Sequence, residues 1–124
     1  MEIKTGVDVV SIKRFQDKYK RRGEKFLMAF LSGEEIDLAK GRIASLAGFF
    51  AAKEAAAKAL GSGIWQEGVG WHDLTISRDG LGKPSISFSG RAADLYEELQ
   101  GMSHDISISH EEEYALAVCQ ILTK

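Results

Sequence analysis

The stretch "FFAAKEAAAKALGSG" at residues 49–63 decides the fold, because it predicts one long helix that the rest of the chain must cover. Ala, Leu, Lys and Glu are strong helix formers, and Gly61 supplies a stop signal. At about 100° per residue, an apolar stripe forms from Leu46, Phe49, Phe50, Ala57 and Leu60. We therefore predict a helix from about Ile43 to Leu60 that buries this stripe against the core.

Charged side chains interrupt the stripe. Lys53 falls in its middle, Glu54 lies at its edge and Lys58 lies just beyond. We expect Lys53 to lay its aliphatic stem over apolar surface and to keep its ammonium in water. Glu54 and Lys58 are one turn apart and project to the same side of the helix. They form either a simple ion pair or part of a binding site.

The remaining elements are predicted from hydrophobic periodicity and from capping and turn residues, and the strands come in adjacent pairs. In the first part of the chain we predict a strand at 3–12, a helix capped by Ser11, a short helix at 26–31, and a helix that a Ser32–Glu35 capping box opens and Gly41 closes. After the long helix we predict a hairpin of 72–79 with 84–89, a helix at 91–100, and a hairpin of 105–110 with 114–122. This order predicts a single α+β domain over residues 1–124, with an antiparallel sheet packed on the long helix.

The composition is that of a globular protein. The 124 residues are 44% hydrophobic and 27% charged, enough for one domain with a core. No run approaches 18 apolar residues, so we expect no membrane span. The start "MEIKTGVDVV" lacks the features of a secretory signal, and we expect a cytoplasmic protein. The single Cys119 lies in an apolar run and is expected to be a buried thiol.

A basic segment stands out against the net charge of −2. Between Lys13 and Lys25, seven basic residues face two acidic ones. A basic patch on a mildly acidic protein indicates a discrete acidic partner rather than nucleic acid, whose binding domains are usually basic overall. The alternative is an ordinary solvated helix face.

Two carboxylates are candidate metal ligands. Asp8 lies among valines, where an acidic side chain is costly unless it is paired or bound to a cation. Together with Glu54 it would offer the hard oxygen ligands that Mg²⁺ accepts, and Lys58 is suited to a phosphate nearby. The alternatives are a local turn or helix-end hydrogen bond for Asp8 and the ion pair with Lys58 for Glu54.

Two further features are ambiguous. His110 ends a predicted strand and could contact a phosphate or act as a general base, although a histidine at a strand end is more often structural or exposed. The Gly61–Ser62–Gly63 loop either caps the long helix or lets backbone amides approach a phosphate.

Four segments in this order resemble a known family: "GVDVVSIKR" at 6–14, "FAAKEAAAKALGSG" at 50–63, "LGKP" at 81–84 and "SISHEEEYALAV" at 107–118. Over residues 6–122 the chain resembles the bacterial holo-acyl-carrier-protein synthases, the short 4′-phosphopantetheinyl transferases. The resemblance implies transfer of the 4′-phosphopantetheine arm of coenzyme A to a serine of apo acyl carrier protein, with release of adenosine 3′,5′-bisphosphate. It also implies Mg²⁺, a homotrimer with active sites between subunits, and a carrier from fatty-acid or polyketide synthesis.

The resemblance assigns roles to individual residues. It implies that Asp8 and Glu54 are metal ligands and that Lys58 lies at the coenzyme A phosphates. It implies a carrier-docking surface made of Arg14, Lys18, Arg21 and Arg22, with Arg14 also near the coenzyme. It places Gly61, Ser62 and Gly63 beside the coenzyme, and Ser109 with His110 near the coenzyme phosphates. Many members have arginine where this chain has Phe49, so any contact of that arginine with the coenzyme must be absent or supplied otherwise.

The implied reaction needs an acceptor for the serine proton. We expect a water on the metal or beside Glu54, with His110 as the second choice. Two other functions compete with this one. A module that binds coenzyme A or a carrier protein without turnover could lose Asp8, Glu54 or Lys58, yet all three are present. An RNA-binding protein is disfavoured by the overall charge and by the lack of an aromatic-rich binding motif.

Overall fold

The computed structural model describes all 124 residues and contains five strands and five α-helices. They are β1 (Ile3–Ser11), α1 (Ile12–Arg22), α2 (Glu24–Met28), α3 (Gly33–Ala39), α4 (Ile43–Ala59), β2 (Leu74–Arg78), β3 (Pro84–Phe88), α5 (Gly90–Glu98), β4 (Gly101–His110) and β5 (Tyr114–Thr123). The predicted α+β class and both predicted hairpins are confirmed. None of the helices has the length and apolar character needed to cross a membrane.

The main sheet has three antiparallel strands in the order β1-β5-β4, and its inner face covers α4. Small residues bring the two layers together. Ala115 and Ala117 on β5 are fully buried, and a side chain at Gly6 on β1 would collide with the Ala55 carbonyl oxygen of α4. The backbones of β1 and α4 therefore run in direct contact, which places the side chains of Asp8 and Lys58 within reach of each other.

Helix α4 is buried on most of its circumference rather than along one stripe. Twelve of its seventeen residues are buried, and most of them are alanine. The predicted single stripe is therefore too narrow. The physical reason is that β2, α1 and α3 also pack on this helix, so it forms the centre of the domain and not one of its outer layers.

The β2–β3 hairpin forms a second, two-stranded sheet that is not hydrogen-bonded to the first. Between this hairpin and α1 lies an aromatic cluster centred on Phe30. The Phe30 ring centroid is 5.0 Å from Phe50, 5.5 Å from Phe26, 5.8 Å from Phe15 and 5.7 Å from Trp71. This cluster joins α1 and α2 to α4.

Capping residues set the helix starts. The Ser11 hydroxyl accepts a hydrogen bond from the Arg14 amide at 3.2 Å, so α1 begins directly where β1 ends. The predicted capping box at the start of α3 is confirmed, because Ser32 and Glu35 exchange both of its hydrogen bonds. The first of these caps fixes the turn between Asp8 and the basic helix.

Candidate active site

A cavity of about 340 Å³ lies where the end of β1, the start of α1 and the middle of α4 meet. Its charged lining residues are Asp8, Arg14, Lys18 and Glu54. The two carboxylates that the sequence singled out, far apart along the chain, thus share one cavity. Three elements of the fold converge to build it, since Asp8 comes from the sheet, Glu54 from the central helix and the cations from α1.

Lys58 pairs with Asp8 and not with Glu54. Its ammonium donates to Asp8 Oδ1 at 3.2 Å and to the Val7 carbonyl oxygen at 3.0 Å. The ion pair of Lys58 with Glu54, left open by the sequence, is therefore wrong, and so is a purely local hydrogen bond for Asp8. The close approach of β1 to α4 at Gly6 explains why Lys58 reaches across to the strand.

Glu54 carries the electrostatic signature of this cavity. Its pKa is raised above the ordinary value of 4.5, first by burial and then by the negative charge of Asp8, while Lys58 acts in the opposite direction. The raised pKa of Glu54 thus reflects burial first, and then a repulsion from Asp8 that adds to it. A cation bound between them would relieve that repulsion.

These donors fit a magnesium ion. The structure contains no group of three or more His, Cys, Asp or Glu side chains that could enclose a metal. Two carboxylates in an open cavity leave the other coordination positions to water and to a phosphate-bearing ligand, which is the arrangement that Mg²⁺ prefers. Asp8 and Glu54 are the residues that would hold it.

The cavity also has an aromatic wall. Phe15, Phe26 and Phe50 form it. Phe50 also contacts Phe30 and Trp71, both at 5.0 Å between ring centroids, so the wall rests on the aromatic cluster. The cavity therefore suits a ligand that is anionic at one end and apolar beside it.

The basic face of α1 continues outward from the cavity rim. Arg14, Lys18, Arg21 and Arg22 are exposed, and none of them forms an ion pair within the chain. A strip of unneutralised cations beside a cavity attracts an acidic partner more readily than scattered surface charges do.

The Gly61–Ser62–Gly63 loop caps α4. Gly61 and Gly63 have positive φ angles of 87° and 69°, and the amides of Ser62 and Gly63 both donate to the Ala57 carbonyl oxygen. The Gly61 amide donates to Lys58. Because all three amides are occupied, the capping alternative explains this loop within the chain. A position beside the coenzyme stays a prediction.

Ser109 and His110 do not meet the carboxylates within one chain. Both are exposed at the end of β4, in a separate hollow that also includes Val9, Tyr114 and Leu116. Val9 borders both hollows. A role for His110 at the Asp8–Glu54 cavity therefore remains a prediction, and it would require a neighbouring copy of the chain.

Lys53 contradicts its prediction most clearly. Its side chain is fully buried, and its ammonium donates to Glu35 Oε1 at 2.9 Å rather than to water. Sequence reasoning assigned Glu35 only to a helix cap and missed this second partner. The available signal was the position of Lys53 in the middle of an apolar stripe, which a buried and paired lysine explains as well as an extended one.

Position 49 belongs to the core of the domain. Phe49 is fully buried, and the guanidinium of Arg78 lies over its ring, 5.2 Å from the centroid. Arg78 ends β2, a place that no pattern in the sequence marked. The hairpin thus places a positive charge beside Phe49, and what would replace a coenzyme contact of the family arginine stays open.

Cys119 is a buried thiol, as predicted. Burial raises its pKa to about 12, with a smaller contribution from the negative charge of Asp105. A thiol in this state is neutral at physiological pH and unreactive, so it takes no part in the chemistry of the cavity.

The fold and the cavity define a class of protein: a small α+β protein whose cavity contains two carboxylates, with a lysine beside them and a basic helix at the rim. The comparisons with known proteins agree. Residues 4–119 match the family model of the 4′-phosphopantetheinyl transferase superfamily. The holo-[acyl-carrier-protein] synthase of Vibrio cholerae is 45% identical over 120 residues, covering 94% of each chain.

Solved structures point to the same family. The crystal structure of the Helicobacter pylori holo-[acyl-carrier-protein] synthase in complex with coenzyme A superposes with a TM-score of 0.87 at 41% identity, covering 95% of this chain and 99% of that one. The Neisseria meningitidis synthase gives a TM-score of 0.84 at 34% identity, covering 96% and 97%. The chain belongs to the 4′-phosphopantetheinyl transferase superfamily, and the predicted enzyme class is confirmed.

Proposed function

We propose that the chain transfers the 4′-phosphopantetheine group of coenzyme A to a serine of apo acyl carrier protein, releasing adenosine 3′,5′-bisphosphate, with Asp8 and Glu54 as the ligands of Mg²⁺. One observation carries the assignment to these residues. Asp8 and Glu54 line a single cavity, and Lys58 is hydrogen-bonded to Asp8 beside it. The relatives named as holo-[acyl-carrier-protein] synthases support the choice of substrates.

Each side chain has a separate task in this proposal. When bound, Mg²⁺ would neutralise charge on the diphosphate of coenzyme A and hold it in line for attack. Lys58 would place a compact positive charge on the oxygens that gain charge during transfer, and Arg14 would hold the coenzyme at the rim. The aromatic wall would exclude water from the apolar part of the arm.

The serine nucleophile comes from the carrier protein, so the enzyme must supply only a proton acceptor. We assign this role to a water on the metal or beside Glu54, whose carboxylate makes no hydrogen bond within the chain. His110 is the second choice, because it is exposed outside the cavity of its own chain.

The transfer itself is tested by mass. The protein is incubated with coenzyme A, Mg²⁺ and a panel of apo carriers from fatty-acid and polyketide synthesis, and each carrier is examined for the added arm. We expect transfer to at least one carrier, and loss of about a thousandfold in rate in folded Asp8→Ala and Glu54→Ala variants. A failure of the parent protein on every carrier would reject the function. Full activity of both variants would reject only the metal assignment.

The basic strip on α1 is the proposed docking surface for the acidic carrier. Charge reversal at Arg21 and Arg22, which are exposed and unpaired, should raise the KM for the carrier about tenfold and leave the KM for coenzyme A nearly unchanged. Steady-state kinetics with each substrate varied in turn gives both constants. Equal effects on the two constants would show that the strip is not the docking surface.

The outer face of the main sheet supports the proposed homotrimer. Ile3 and Val9 are 65% and 60% exposed there, and Val7, Tyr114 and Leu116 extend the same apolar surface. A patch of this kind marks an interaction site on most proteins. Light scattering on the purified protein gives the assembly mass directly, and a monomer at working concentration would contradict the trimer.

A further inference from the structure

Lys53 is a buried cation whose hydrogen-bonding capacity is completely used. Its ammonium donates to the Phe30 carbonyl oxygen at 2.7 Å, to Glu35 Oε1 at 2.9 Å and to the Trp71 carbonyl oxygen at 3.2 Å. An ammonium has three protons, so all three are assigned. These three hydrogen bonds offset the free-energy cost of burying the ammonium, and they also fix the position of every group that accepts one.

Two of the three acceptors belong to residues behind the cavity wall. The rings of Phe30 and Trp71 each lie 5.0 Å from the ring of Phe50, which lines the cavity. Phe30 also contacts Phe15 on α1, the helix that carries the cations at the cavity rim. Lys53 therefore holds the backbones of the two residues that support the wall and the basic helix.

The third acceptor extends the network to the far side of the core. Glu35 Oε1 also accepts from the Ser32 amide at 2.8 Å, and Oε2 accepts from the Ile76 amide on β2 at 2.7 Å. Both carboxylate oxygens are thus used. Through Glu35, the position of α4 is tied to the start of α3 and to the second sheet.

The metal-side residues are held by a different set of contacts. Asp8 lies on β1, Lys58 bonds to β1, and both depend on the close packing of β1 against α4 at Gly6. Lys53 touches none of these groups. Loss of Lys53 should consequently disturb the aromatic wall and α1 while leaving Asp8 and Lys58 in place.

From this division we infer that Lys53 is a positioning residue for transfer to the carrier: through Phe30 and Trp71 it sets the aromatic wall and the basic helix α1 relative to Glu54. The inference rests on the proposed function of the cavity. It predicts a defect in the use of both substrates, because the cavity that takes coenzyme A is lined by Arg14 of α1 and by the aromatic wall, while the basic helix faces the carrier.

The experiment compares Lys53→Met with Glu35→Gln in the complete protein. The first variant releases the Phe30 and Trp71 carbonyls. The second keeps both of those hydrogen bonds, removes the charge pairing and replaces one of the two Glu35 oxygens by an NH2 group that cannot accept a backbone amide. We expect Lys53→Met to raise the KM for the carrier and the KM for coenzyme A, each about tenfold. We expect Glu35→Gln to lower the thermal midpoint and to leave both KM values unchanged.

A double variant separates position from stability. Lys53→Met with Glu35→Gln leaves no buried ion without a partner, so its thermal midpoint should recover toward that of the parent. The KM for the carrier should stay raised. Ile121→Ala is the control variant. Ile121 is buried near the end of β5, away from the β5 residue that pairs with Asp8, so its loss should lower the thermal midpoint by a similar amount and leave the kinetics unchanged.

Fluorescence gives a readout independent of activity. In a Trp65→Phe background, Trp71 is the only tryptophan, and its emission should shift to longer wavelength in Lys53→Met as the wall loosens. It should stay in place in Ile121→Ala. The inference is overturned if the KM for the carrier recovers together with the thermal midpoint in the double variant, or if Ile121→Ala shows the same kinetic defect. Activity of the parent protein, measured first, separates these outcomes from a failure of the proposed function.

Discussion

Two lysines of α4 pair with carboxylates of other elements, and the two ion pairs have opposite surroundings. Lys53 and Glu35 are 0% and 2% exposed, with 2.9 Å between nitrogen and oxygen. Lys58 and Asp8 are 50% and 18% exposed, with 3.2 Å between them. The inner pair is fully enclosed by protein, since all three ammonium protons and both carboxylate oxygens have hydrogen-bond partners within the chain. The outer pair borders a cavity and has a neighbouring carboxylate, Glu54, without a hydrogen bond.

A lysine–carboxylate ion pair can therefore serve either structure or function, depending on its surroundings. A buried pair specifies structure, because removing either partner leaves an ion in a medium that cannot solvate it. A half-exposed pair contributes little to stability, since water competes for both ions. Its groups are therefore available to a ligand. Burial, rather than the identity of the residues, distinguishes the structural pair from the functional one.

Breaking the inner pair should have the largest effect on folding. Glu35→Ala strands the Lys53 ammonium in the core and removes the capping box of α3, so we expect a loss of about 3–5 kcal/mol in the free energy of unfolding. Asp8→Ala breaks the outer pair and should change that quantity by less than about 1 kcal/mol. Urea denaturation followed by circular dichroism measures both. Equal losses of unfolding free energy in the two variants would contradict a structural role for the buried pair alone.

Breaking the outer pair should instead reduce turnover. Lys58→Met removes the cation beside Asp8 and should lower kcat about a hundredfold with the thermal midpoint nearly unchanged. Lys83→Met is the matched control, because Lys83 forms an exposed ion pair with Asp105 away from the cavity. The control should retain the parent rate. A normal rate in Lys58→Met would remove Lys58 from the reaction.

The smallest effect concerns pH. The pKa of Glu54 is raised in the folded protein, so the folded state binds this proton more tightly than the unfolded state does. Its contribution to stability is therefore lost as pH rises from about its ordinary value through the raised value. Glu54→Gln cannot titrate and should be stabilised relative to the parent at pH 7 more than at pH 4. Urea titrations of both proteins at the two pH values give the difference, and a pH-independent difference would contradict the raised pKa.

Much of the fold follows from the sequence because its signals are local. The capping serines, the stop at Gly61 and the alternation of the two hairpins each act over a few residues, and each prediction was confirmed. The environment of α4 could not be predicted as well. Its alanines fit a helix covered on one side or on several, and only the packing of β2, α1 and α3 decides between them.

The sequence predicts which residues line the candidate site better than it predicts which of them form ion pairs. Asp8 and Glu54 were singled out by charge in apolar surroundings, and they do share a cavity. The partner of Lys58 was not predictable, because it depends on how closely β1 approaches α4. Lys53 was misjudged for a related reason: a stripe on a helix shows that a residue faces inward, but not which distant acceptors meet it there.

The contact of Gly6 with α4 has a consequence for reading genetic screens. Any side chain at Gly6 would push the strand that carries Asp8 away from the helix that carries Glu54 and Lys58. In a saturation mutagenesis selection, position 6 should then tolerate substitution as poorly as position 8, although it has no side chain and no chemical role. Intolerance in such a map marks the spacing between reactive groups as well as the groups themselves.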